Sequence, residues 1–308
     1  MINTVYRLVA PRRFEIAFED INLFGENAIV RPTYLSICNA DMRYYLGTRD
    51  AKVLAEKLPM ALIHEGVGEV FLDPTGTFKT GDKVVMVPNA PVEKDEFIAE
   101  NYLRSSKFCG SSMDGFLQEF VEISPKRLVK LPDDIDMTVA AFTEIVSVSV
   151  HAISRFDKIA HARRNTISVW GDGNLGYITS LFLKYHFPKS KIVVFGTSND
   201  KLADFTFADE THLVNEVPNG FTTDHAFECV GGNGSPIAIE QIIGLIKPEG
   251  TISILGVSEY PVPINTRMIL EKGLRVFGSS RSGVKDFAKT VDMYKKHPEI
   301  IDYLGNLI

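Results

Sequence analysis

Four residues offer the sulfur, imidazole and carboxylate groups that zinc accepts as ligands. Cys38 lies in the segment SICNAD, His64 and Glu65 open HEGVGEV, and Glu144 lies in FTEIV. A catalytic zinc site keeps one position open for water or substrate, so such a set can hold a metal that polarises a carbonyl. The residue types alone also fit ordinary roles, with Cys38 and His64 as core side chains and Glu144 as a solvated acid.

A phosphate-binding turn is the second candidate site. The apolar segment TISVW is followed by Gly171, Gly173 and Gly176 in the pattern G-x-G-x-x-G, and then by YITSLFLKYHF, which has helical spacing. In this setting the glycines permit a tight turn, close approach of a pyrophosphate and close packing of helix on strand. Amides at the helix N-terminus attract phosphate. The sequence therefore predicts a dinucleotide site at Gly171, Gly173, Asn174, Leu175 and Gly176.

The next apolar segment, KIVVFG, indicates which dinucleotide binds. Proteins that use NAD place an Asp or Glu about 20 residues beyond the glycines, where it holds the ribose hydroxyls. Here the segment ends at Gly196, and Thr197, Ser198 and Lys201 follow. Two hydroxyls and an ammonium group can bind a 2′-phosphate, so we expect NADPH. Thr197 and Ser198 can at the same time cap the next helix.

The elements that position these residues differ between the two parts of the chain. Residues 1 to about 138 consist of short apolar runs separated by Gly, Pro and Asp, which predicts an antiparallel, barrel-like β domain with a long surface excursion at 91–113. Short apolar strands then alternate with helical segments, which predicts a parallel sheet covered on both faces. We expect the fold class α/β, with domains at 1–145 and 146–285 and a helical segment at 286–308.

Composition narrows the function classes. A net charge of −6 argues against general binding of nucleic acid, and no apolar stretch is long enough to cross a membrane. Three scattered cysteines do not make a disulfide framework, and the N-terminus lacks the pattern of a signal peptide. We therefore expect a cytoplasmic protein that acts on a small molecule.

The motifs together resemble the medium-chain dehydrogenase/reductase family. HEGVGEV matches that family's H-E-x-x-G-x-V signature, SICNAD its zinc loop, FTEIVSVSVHA the zinc-carboxylate segment of its polyol dehydrogenases, and GDGNLG and HAFECVGG its cofactor turns. The resemblance implies a GroES-like β-barrel catalytic domain and a Rossmann cofactor domain. It also implies one catalytic zinc on Cys38, His64, Glu65 and Glu144, with Asp41 receiving the other ring N–H of His64.

A closer resemblance is to the branch that reduces D-ribulose 5-phosphate to D-ribitol 5-phosphate for teichoic-acid synthesis. It is carried by LPMALIHEGVGEV, VVMVPNAP, EKDEFIAENYL, WGDGNLGYITS and EKGLRVFGSSRSG. The resemblance implies NADPH as reductant and a zinc that polarises the C2 carbonyl of the sugar phosphate. Candidates for the substrate phosphate are Arg43, Arg49 and Arg281, because arginine captures phosphate in a bidentate manner.

The sequence departs from the family pattern at three places. Ala40 stands where many members carry a proton-relaying Ser or Thr, so a water, a tyrosine such as Tyr44 or a substrate hydroxyl must serve. The excursion at 91–113 contains only Cys109, which predicts no structural zinc. The chain also lacks the family's usual return to the β domain after residue 308, which we interpret as a shortened or truncated tail.

Three other functions stay open at this stage. They are a metal-free reductase of the same fold, a non-catalytic nucleotide-binding protein, and a dehydrogenase of another polyol or polyol phosphate. For assembly, the family pairs edge strands of its cofactor domains, so we expect a homodimer through the segment MILEKGLRVFG. We also expect association with a cytidylyltransferase of the same pathway.

Overall fold

The computed structural model describes residues 1–308, and the chain divides into two units. The first unit comprises residues 1–147, 281–306 and 308, and the second comprises residues 148–280 and 307. The residues after 280 therefore group with the N-terminal part of the chain. The ranges 1–145, 146–285 and 286–308 that we assigned to functional domains stay predictions.

The first unit is built of antiparallel sheets, as its short apolar runs predict. Its strands and helices are β1 (Ile2–Ala10), β2 (Arg13–Asp20), β3 (Ala28–Ser36), α1 (Asn39–Tyr45), α2 (Ala51–Lys57), β4 (Met60–Ala61), β5 (Glu65–Leu72), β6 (Lys83–Met86), β7 (Asn89–Ala90), β8 (Lys107–Phe108), β9 (Val121–Ile123), β10 (Leu128–Lys130) and α3 (Met137–Ala140). The strand orders are β2-β1-β4, β10-β6-β5-β3-β9 and β7-β8.

The core of the first unit lies against the five-stranded sheet. Val30, Val70, Val84 and Met86 are fully or almost fully buried there, and Phe116 packs against them. Alternate positions of each strand supply these side chains, because successive side chains of a strand point to opposite faces. The sheet thereby fixes the end of β3, which Cys38 follows, and the start of β5, which Glu65 begins directly after His64.

The helix α4 (Thr143–Ile159) contains the boundary between the two units, and the second unit then alternates strands with helices. Its further elements are β11 (Thr166–Trp170), α5 (Asn174–His186), β12 (Lys191–Gly196), α6 (Asn199–Ala203), β13 (Glu210–Leu213), β14 (Thr223–Glu228), α7 (Ser235–Leu245), β15 (Ile246–Ile254), α8 (Thr266–Lys272) and β16 (Arg275–Gly278). The strand β13 is polar, with the sequence ETHL, and the apolar pattern did not predict it.

All pairs in the six-stranded sheet of the second unit are parallel, in the order β13-β12-β11-β14-β15-β16. The strands β11 and β12 are largely apolar and buried on both faces because both faces are covered, and the rings of Trp170 and Phe195 stack at 4.4 Å. Counted within the unit the order is 3-2-1-4-5-6. In such a sheet ligands bind beyond the carboxyl ends of the strands, where the order reverses between β11 and β14.

Two helices complete the first unit, α9 (Val284–Lys296) and α10 (Glu299–Gly305). Phe287, Val291 and Leu304 on these helices are fully or almost fully buried. The buried Tyr294 hydroxyl lies 3.4 Å from the Thr143 hydroxyl, at the start of α4. No helix of the chain combines the length and the apolar character that a membrane crossing requires.

Candidate metal and cofactor sites

The start of α1 is held by a reciprocal pair of hydrogen bonds between Cys38 and Asp41. The Cys38 amide donates to Asp41 Oδ2 at 3.0 Å, and the Asp41 amide donates to the Cys38 carbonyl at 3.0 Å. Cys38 is the N-cap, with an extended backbone, so its side chain stands at the entrance of the helix. This local geometry fixes where the Cys38 sulfur lies.

The second oxygen of Asp41 reaches the segment that carries His64. Asp41 Oδ1 accepts the Ile63 amide at 3.0 Å and lies 3.5 Å from His64 Nδ1. Ile63 has φ +73°, a strained conformation for a β-branched residue. The Phe116 amide, which donates to the Ile63 carbonyl at 2.7 Å, helps to impose it. The strained turn and Asp41 together set the direction of the imidazole.

Three potential zinc ligands meet at this point. The ligand atoms of Cys38, His64 and Glu65 all lie within 4.8 Å of one another, and His64 and Glu65 are buried. Glu65 begins β5 and pairs with Ser36 at the end of β3, and its carboxylate accepts hydrogen bonds from the side chains of Ser36 and Cys38. A sulfur, an imidazole and a carboxylate in one buried group fit the requirements of zinc.

The electrostatics of this group reflect several ionisable side chains in little water. Burial acts to lower the pKa of His64, but Asp41, the Cys38 sulfur and the charge of Glu144 outweigh it and raise that pKa to about 12. Burial and the charge of Glu144 raise the pKa of Glu65 to about 8. Burial likewise raises the pKa of the Cys38 thiol. A divalent cation would offset this crowding of anionic groups.

Glu144, the fourth predicted ligand, stands in the first turn of α4 and is 5% exposed. Its charge acts on His64 and Glu65, and burial raises its pKa. It does not belong to the group of three whose ligand atoms lie within 4.8 Å. The structure thus brings three of the four predicted ligands together with Asp41 behind them. The ligand set itself stays a prediction.

Arg281, one of the three arginines predicted to bind phosphate, lies close to this cluster. Its guanidinium lies 4.6 Å from the centre of the Phe108 ring, and that ring lies 5.4 Å from the ring of His64. Arg281 has φ +57°, which is uncommon for a residue with a side chain. Burial lowers the pKa of Arg281, against the charge of Glu144. Arg281 therefore presents a partly desolvated cation beside the predicted metal site.

The other two arginines lie on or after α1. Arg43 belongs to the last turn of that helix, and Arg49 stacks on Tyr44 with its guanidinium 4.8 Å from the ring centre. Tyr44 is 3% exposed and packs with Leu8 and Met60 in a second core cluster. Tyr44 is thus a core side chain with a cation on its ring. Its proposed role as a proton donor stays a prediction.

Glu100 anchors the excursion at 91–113, a role that no pattern in the sequence indicates. Its carboxylate accepts Arg127 Nη1 at 3.0 Å and the Val284 amide at 2.8 Å. A Cβ at Gly283 would lie 2.6 Å from Glu100 Oε1, so only glycine leaves room for this contact. Glu100 thereby fixes the backbone two residues beyond Arg281, while Phe108 of the same excursion supports the Arg281 guanidinium.

In the second unit the glycine-rich turn has the geometry that its pattern predicts. Gly171 follows β11 with φ +129°, and a Cβ at Gly176 would lie 1.9 Å from the Gly171 carbonyl oxygen. Gly173 is the N-cap of α5, and a Cβ there would have no heavy atom within 4 Å. The turn thus leaves open space in front of a helix N-terminus, as a dinucleotide pyrophosphate requires. Asn174 and Leu175 form the first turn of that helix.

The residues after β12 are tied to this turn by Asp172. Its Oδ2 accepts the Thr197 and Ser198 amides at 2.6 and 2.9 Å and the Thr197 hydroxyl at 3.2 Å. Burial opposes ionisation, but these hydrogen bonds outweigh it and lower the pKa of Asp172. The Ser198 hydroxyl accepts the Lys201 amide at 3.4 Å at the start of α6, so the capping role is present. Contacts of Thr197, Ser198 and Lys201 with a 2′-phosphate stay a prediction.

Glu228, at the end of β14, is a buried group that sequence reasoning missed. Its carboxylate accepts the amides of Val230, Gly231 and Gly256 at 3.1, 2.8 and 3.1 Å. It therefore joins the loops after β14 and β15 at the carboxyl edge of the sheet, close to the reversal of strand order. An acid directly after an apolar strand and before two glycines was the available signal in HAFECVGG.

Two protein-family models match this chain. Residues 25–133 match the model of the alcohol dehydrogenase GroES-like domain, and residues 189–296 match that of the zinc-binding dehydrogenases. Ribulose-5-phosphate reductase 1 of Staphylococcus aureus is 57% identical over 100% of this chain and 90% of its own length. The ribulose-5-phosphate reductase of Bacillus spizizenii is 56% identical with the same coverage.

Among solved structures, the crystal structure of S. aureus TarJ in complex with NADPH superimposes with a TM-score of 0.89 at 52% identity. It covers 100% of this chain and 89% of that chain. The predicted fold class, a GroES-like β domain with a doubly wound parallel sheet, is thereby confirmed, as is the prediction of a zinc-dependent oxidoreductase. On the two matched models and the full-length identity to its relatives, this chain belongs to the family of zinc-binding dehydrogenases with a GroES-like domain.

Proposed function

We propose that this chain reduces D-ribulose 5-phosphate to D-ribitol 5-phosphate with NADPH and so supplies ribitol phosphate for teichoic-acid synthesis. The observation that carries the proposal is the 57% identity to a ribulose-5-phosphate reductase over the whole chain. The TarJ structure at 52% identity contains NADPH, which supports the same cofactor here. Polyol relatives are more distant, with D-xylulose reductase of Saccharomyces cerevisiae at 27% identity.

The side chains around His64 fit a catalytic zinc. Cys38, His64 and Glu65 would hold the ion, with Glu144 as the fourth ligand of our prediction. Zinc bound there would supply Lewis-acid polarisation of the carbonyl that becomes the alcohol. Asp41 faces Nδ1 of His64 at 3.5 Å, so in the neutral, metal-binding form of His64 the proton would stay on Nδ1 and leave the lone pair of Nε2 for the ion. Asp41 thereby fixes the tautomer that a metal ligand needs.

The glycine-rich turn fits the pyrophosphate of NADPH. The cofactor supplies the hydride, while this chain fixes its position through Gly171, Gly173, Asn174, Leu175 and Gly176. Thr197, Ser198 and Lys201 are proposed to meet the 2′-phosphate. The Asp172 carboxylate already accepts the Thr197 and Ser198 amides and the Thr197 hydroxyl, so the Ser198 hydroxyl and the Lys201 ammonium are the groups of this set most available for that contact.

For the substrate phosphate we favour Arg281 over Arg43 and Arg49. Its guanidinium is partly buried and stacks on Phe108, whose ring lies 5.4 Å from the ring of His64. A desolvated arginine binds a phosphate more strongly than an exposed one, because its charge is less screened. Ala40 offers no hydroxyl, so the proton for the alcohol comes from a water, Tyr44 or a substrate hydroxyl.

We further propose a cytoplasmic enzyme, a homodimer through residues 268–278, and association with a cytidylyltransferase. Cys38, Cys109 and Cys229 are all free thiols, which suits a reducing compartment. The strand β16 within 268–278 is an edge strand with exposed residues, as pairing with a second copy requires. A cytidylyltransferase partner is proposed because the product is the kind of alcohol phosphate that such enzymes activate.

The test is NADPH oxidation with D-ribulose 5-phosphate as substrate, measured before chelation, after chelation and after zinc is restored. We expect turnover that disappears with the metal and returns with zinc, and much weaker turnover with D-ribulose or NADH. Turnover of sorbitol with NAD in place of this reaction would overturn the substrate assignment. Binding of NADPH without turnover of any polyol phosphate would leave a nucleotide-binding protein.

A further inference from the structure

The strand β2 is an unusually long exposed edge. It lies at the end of the order β2-β1-β4 and has eight residues, seven of them exposed. The other edge strands are at most half as long: β13 and β16 have four residues each, and β9 and β10 have three. A long edge presents a row of unpaired backbone donors and acceptors that another strand can join.

One face of this edge is apolar. Phe14, Ile16 and Phe18 stand on the same face because they alternate along the strand, and they are 40%, 60% and 71% exposed. Tyr6 lies opposite Ile16 on β1 and is itself 36% exposed. Contiguous exposed apolar side chains mark interaction surfaces more often than scattered ones.

The charged residues of β2 are not of the kind that usually prevents an edge strand from pairing with another strand. Edge strands of monomeric proteins carry lysines or prolines that discourage pairing, and β2 has neither. Arg13 instead pairs with Glu15 at 2.5 Å, and Glu19 pairs with Arg7 of β1. Arg13 at the start of the strand, Glu15 and Glu19 stand on the face opposite the aromatic residues, and Asp20 ends the strand on the aromatic face.

This distribution is self-complementary in one antiparallel register. If β2 of a second copy pairs with Ile16 opposite its own equivalent, Phe14 comes to lie opposite Phe18 and Arg13 opposite Glu19, each twice by symmetry. Cross-strand aromatic pairs and opposite charges both stabilise sheets. Arg12, just before the strand, would similarly face Asp20.

Neighbouring registers would be less stable, because they separate the aromatic side chains or bring like charges together. A slip of one residue places the aromatic side chains of the two copies on opposite faces. A slip of two residues in one direction sets Glu15 opposite Glu19, and in the other direction it sets Glu15 opposite itself. Like charges directly opposite destabilise a sheet. The register centred on Ile16 is therefore selected by both charge and apolar pattern.

We propose that β2 is an interface through which two copies of this chain join their three-stranded sheets in antiparallel fashion about Ile16. The occupant of the edge is a second copy, because the strand's own charges and aromatic residues complement each other under a two-fold axis. This interface is separate from the dimer proposed through residues 268–278 and from the reductase activity. If both interfaces form, the assembly is larger than a dimer.

The test uses two charge-reversed variants of the full-length chain, Arg13→Glu and Glu19→Arg, analysed by sedimentation equilibrium. Each variant places like charges opposite each other twice, so each should lose the interface, with at least about a tenfold rise in the dissociation constant. An equimolar mixture of the two should regain it, because every contact in a mixed pair then joins Glu to Arg. The double variant Arg13→Glu, Glu19→Arg should also reassociate.

Lys130→Glu is the matched control, since Lys130 is a half-exposed cation in an ion pair on another edge strand, β10. It should leave the mass of the assembly unchanged. Melting temperatures and NADPH oxidation rates should be unaltered in all variants, which shows that each chain is folded. Three results would each overturn the proposal. The wild-type chain could form no assembly except one that is lost when β16 is altered, both single variants could keep the wild-type mass, or the mixture of the two could stay dissociated.

Discussion

In the first unit the buried ionisable groups around His64 face one another, whereas in the second unit the buried carboxylates face backbone amides. Glu65 accepts hydrogen bonds from the side chains of Ser36 and Cys38, and the charge of Glu144 together with burial raises its pKa to about 8. Removal from water is therefore not balanced by the chain's own donors in this cluster.

Buried acids of the second unit are in the opposite situation. Asp224 is fully buried, yet it accepts the Asn165 and Thr166 amides at 2.9 and 3.1 Å and pairs with Lys247 at 2.9 Å. Burial works against its charge, but these partners outweigh burial and lower its pKa. Glu228 accepts three backbone amides.

The two units therefore depend on different properties of the chain to bind their ligands. The cluster around His64 brings together several buried ionisable side chains whose charges a bound cation would offset, so its chemistry depends on side-chain identity. The glycine-rich turn depends on backbone shape and on the absence of Cβ atoms. Substitutions should therefore affect metal content in the first unit and cofactor binding in the second, with little crossover.

The largest expected effect is that of Cys38→Ser. Loss of the thiolate should remove most of the bound zinc and lower the turnover of D-ribulose 5-phosphate by about 10³-fold, the equivalent of about 4 kcal/mol of transition-state stabilisation. Zinc content is measured by elemental analysis and NADPH affinity by fluorescence titration. NADPH affinity should change less than about twofold, within the scatter of a distant substitution. Full zinc content in the variant would remove Cys38 from the ligand set.

The stability of the second unit should depend on pH through His225, a buried imidazole whose two nitrogens both have hydrogen-bond partners. This fully buried imidazole has its Nε2 3.0 Å from the Arg163 carbonyl and accepts the Thr251 amide at Nδ1, 3.1 Å away. Both nitrogens are thus satisfied in the neutral form, and burial, with the charge of His161, lowers the pKa of His225 from 6.5 to about 4.

Because the folded state disfavours the proton, the stability from His225 is fully present above pH 6.5 and is lost as the pH falls from 6.5 to 4. The expected loss is about 3 kcal/mol in the free energy of unfolding. Urea unfolding of the wild type and of His225→Gln across this range measures it, since the variant should lack this component. His212→Gln, on the edge strand β13, is the control and should keep it. Parallel pH profiles for wild type and His225→Gln would refute the assignment.

Two glycines of the same turn should separate packing from cofactor binding. Gly176→Ala places a Cβ 1.9 Å from the Gly171 carbonyl oxygen, so the turn must shift, at a cost of about 2 kcal/mol in unfolding free energy. Gly173→Ala meets no heavy atom within 4 Å and should change stability by less than about 0.5 kcal/mol. It should nevertheless weaken NADPH binding, because the methyl group enters the space proposed for the pyrophosphate. Equal effects of the two substitutions on thermal unfolding would contradict this separation.

Asp41→Asn is expected to weaken zinc binding without removing a ligand. The amide group cannot accept both the Cys38 and the Ile63 amide and also orient His64, so zinc affinity should fall about 10- to 100-fold. Competition with a chelator measures that affinity. Asp50→Asn, which alters the cap of α2, is the matched control and should keep wild-type zinc affinity. Unchanged affinity in Asp41→Asn would reduce Asp41 to a helix cap.

The glycine-rich turn could be predicted from the sequence because its residues are adjacent and its chemistry lies in the backbone. The strand, the turn, the helix and the next strand follow one another directly along the sequence. The structure also brings Cys38, His64 and Asp41 together, but only resemblance to a family grouped them in the sequence. Their types and spacing alone allowed ordinary core roles, since 26 positions separate Cys38 from His64.

The parts that could not be predicted depend on contacts between distant segments. Glu100 and Val284 meet only because the 91–113 excursion packs on the segment after residue 280. Asp172 occupies a variable position of the glycine pattern, yet its carboxylate holds the residues after β12. The polar strand β13 has no apolar pattern and is formed by pairing with β12. In each case the partner, and not the local sequence, determines the role.

The division of the chain has a consequence for synthesis on the ribosome. The second unit is essentially one continuous stretch, 148–280, whereas the first needs residues 281–306 to cover its core. At about 5–20 residues per second, the ribosome needs roughly 10–30 s to pass from residue 147 to residue 306. Throughout that interval the nascent first unit lacks α9 and α10, and its apolar surface is open to chaperones. The part of the chain made first is therefore the part that finishes folding last.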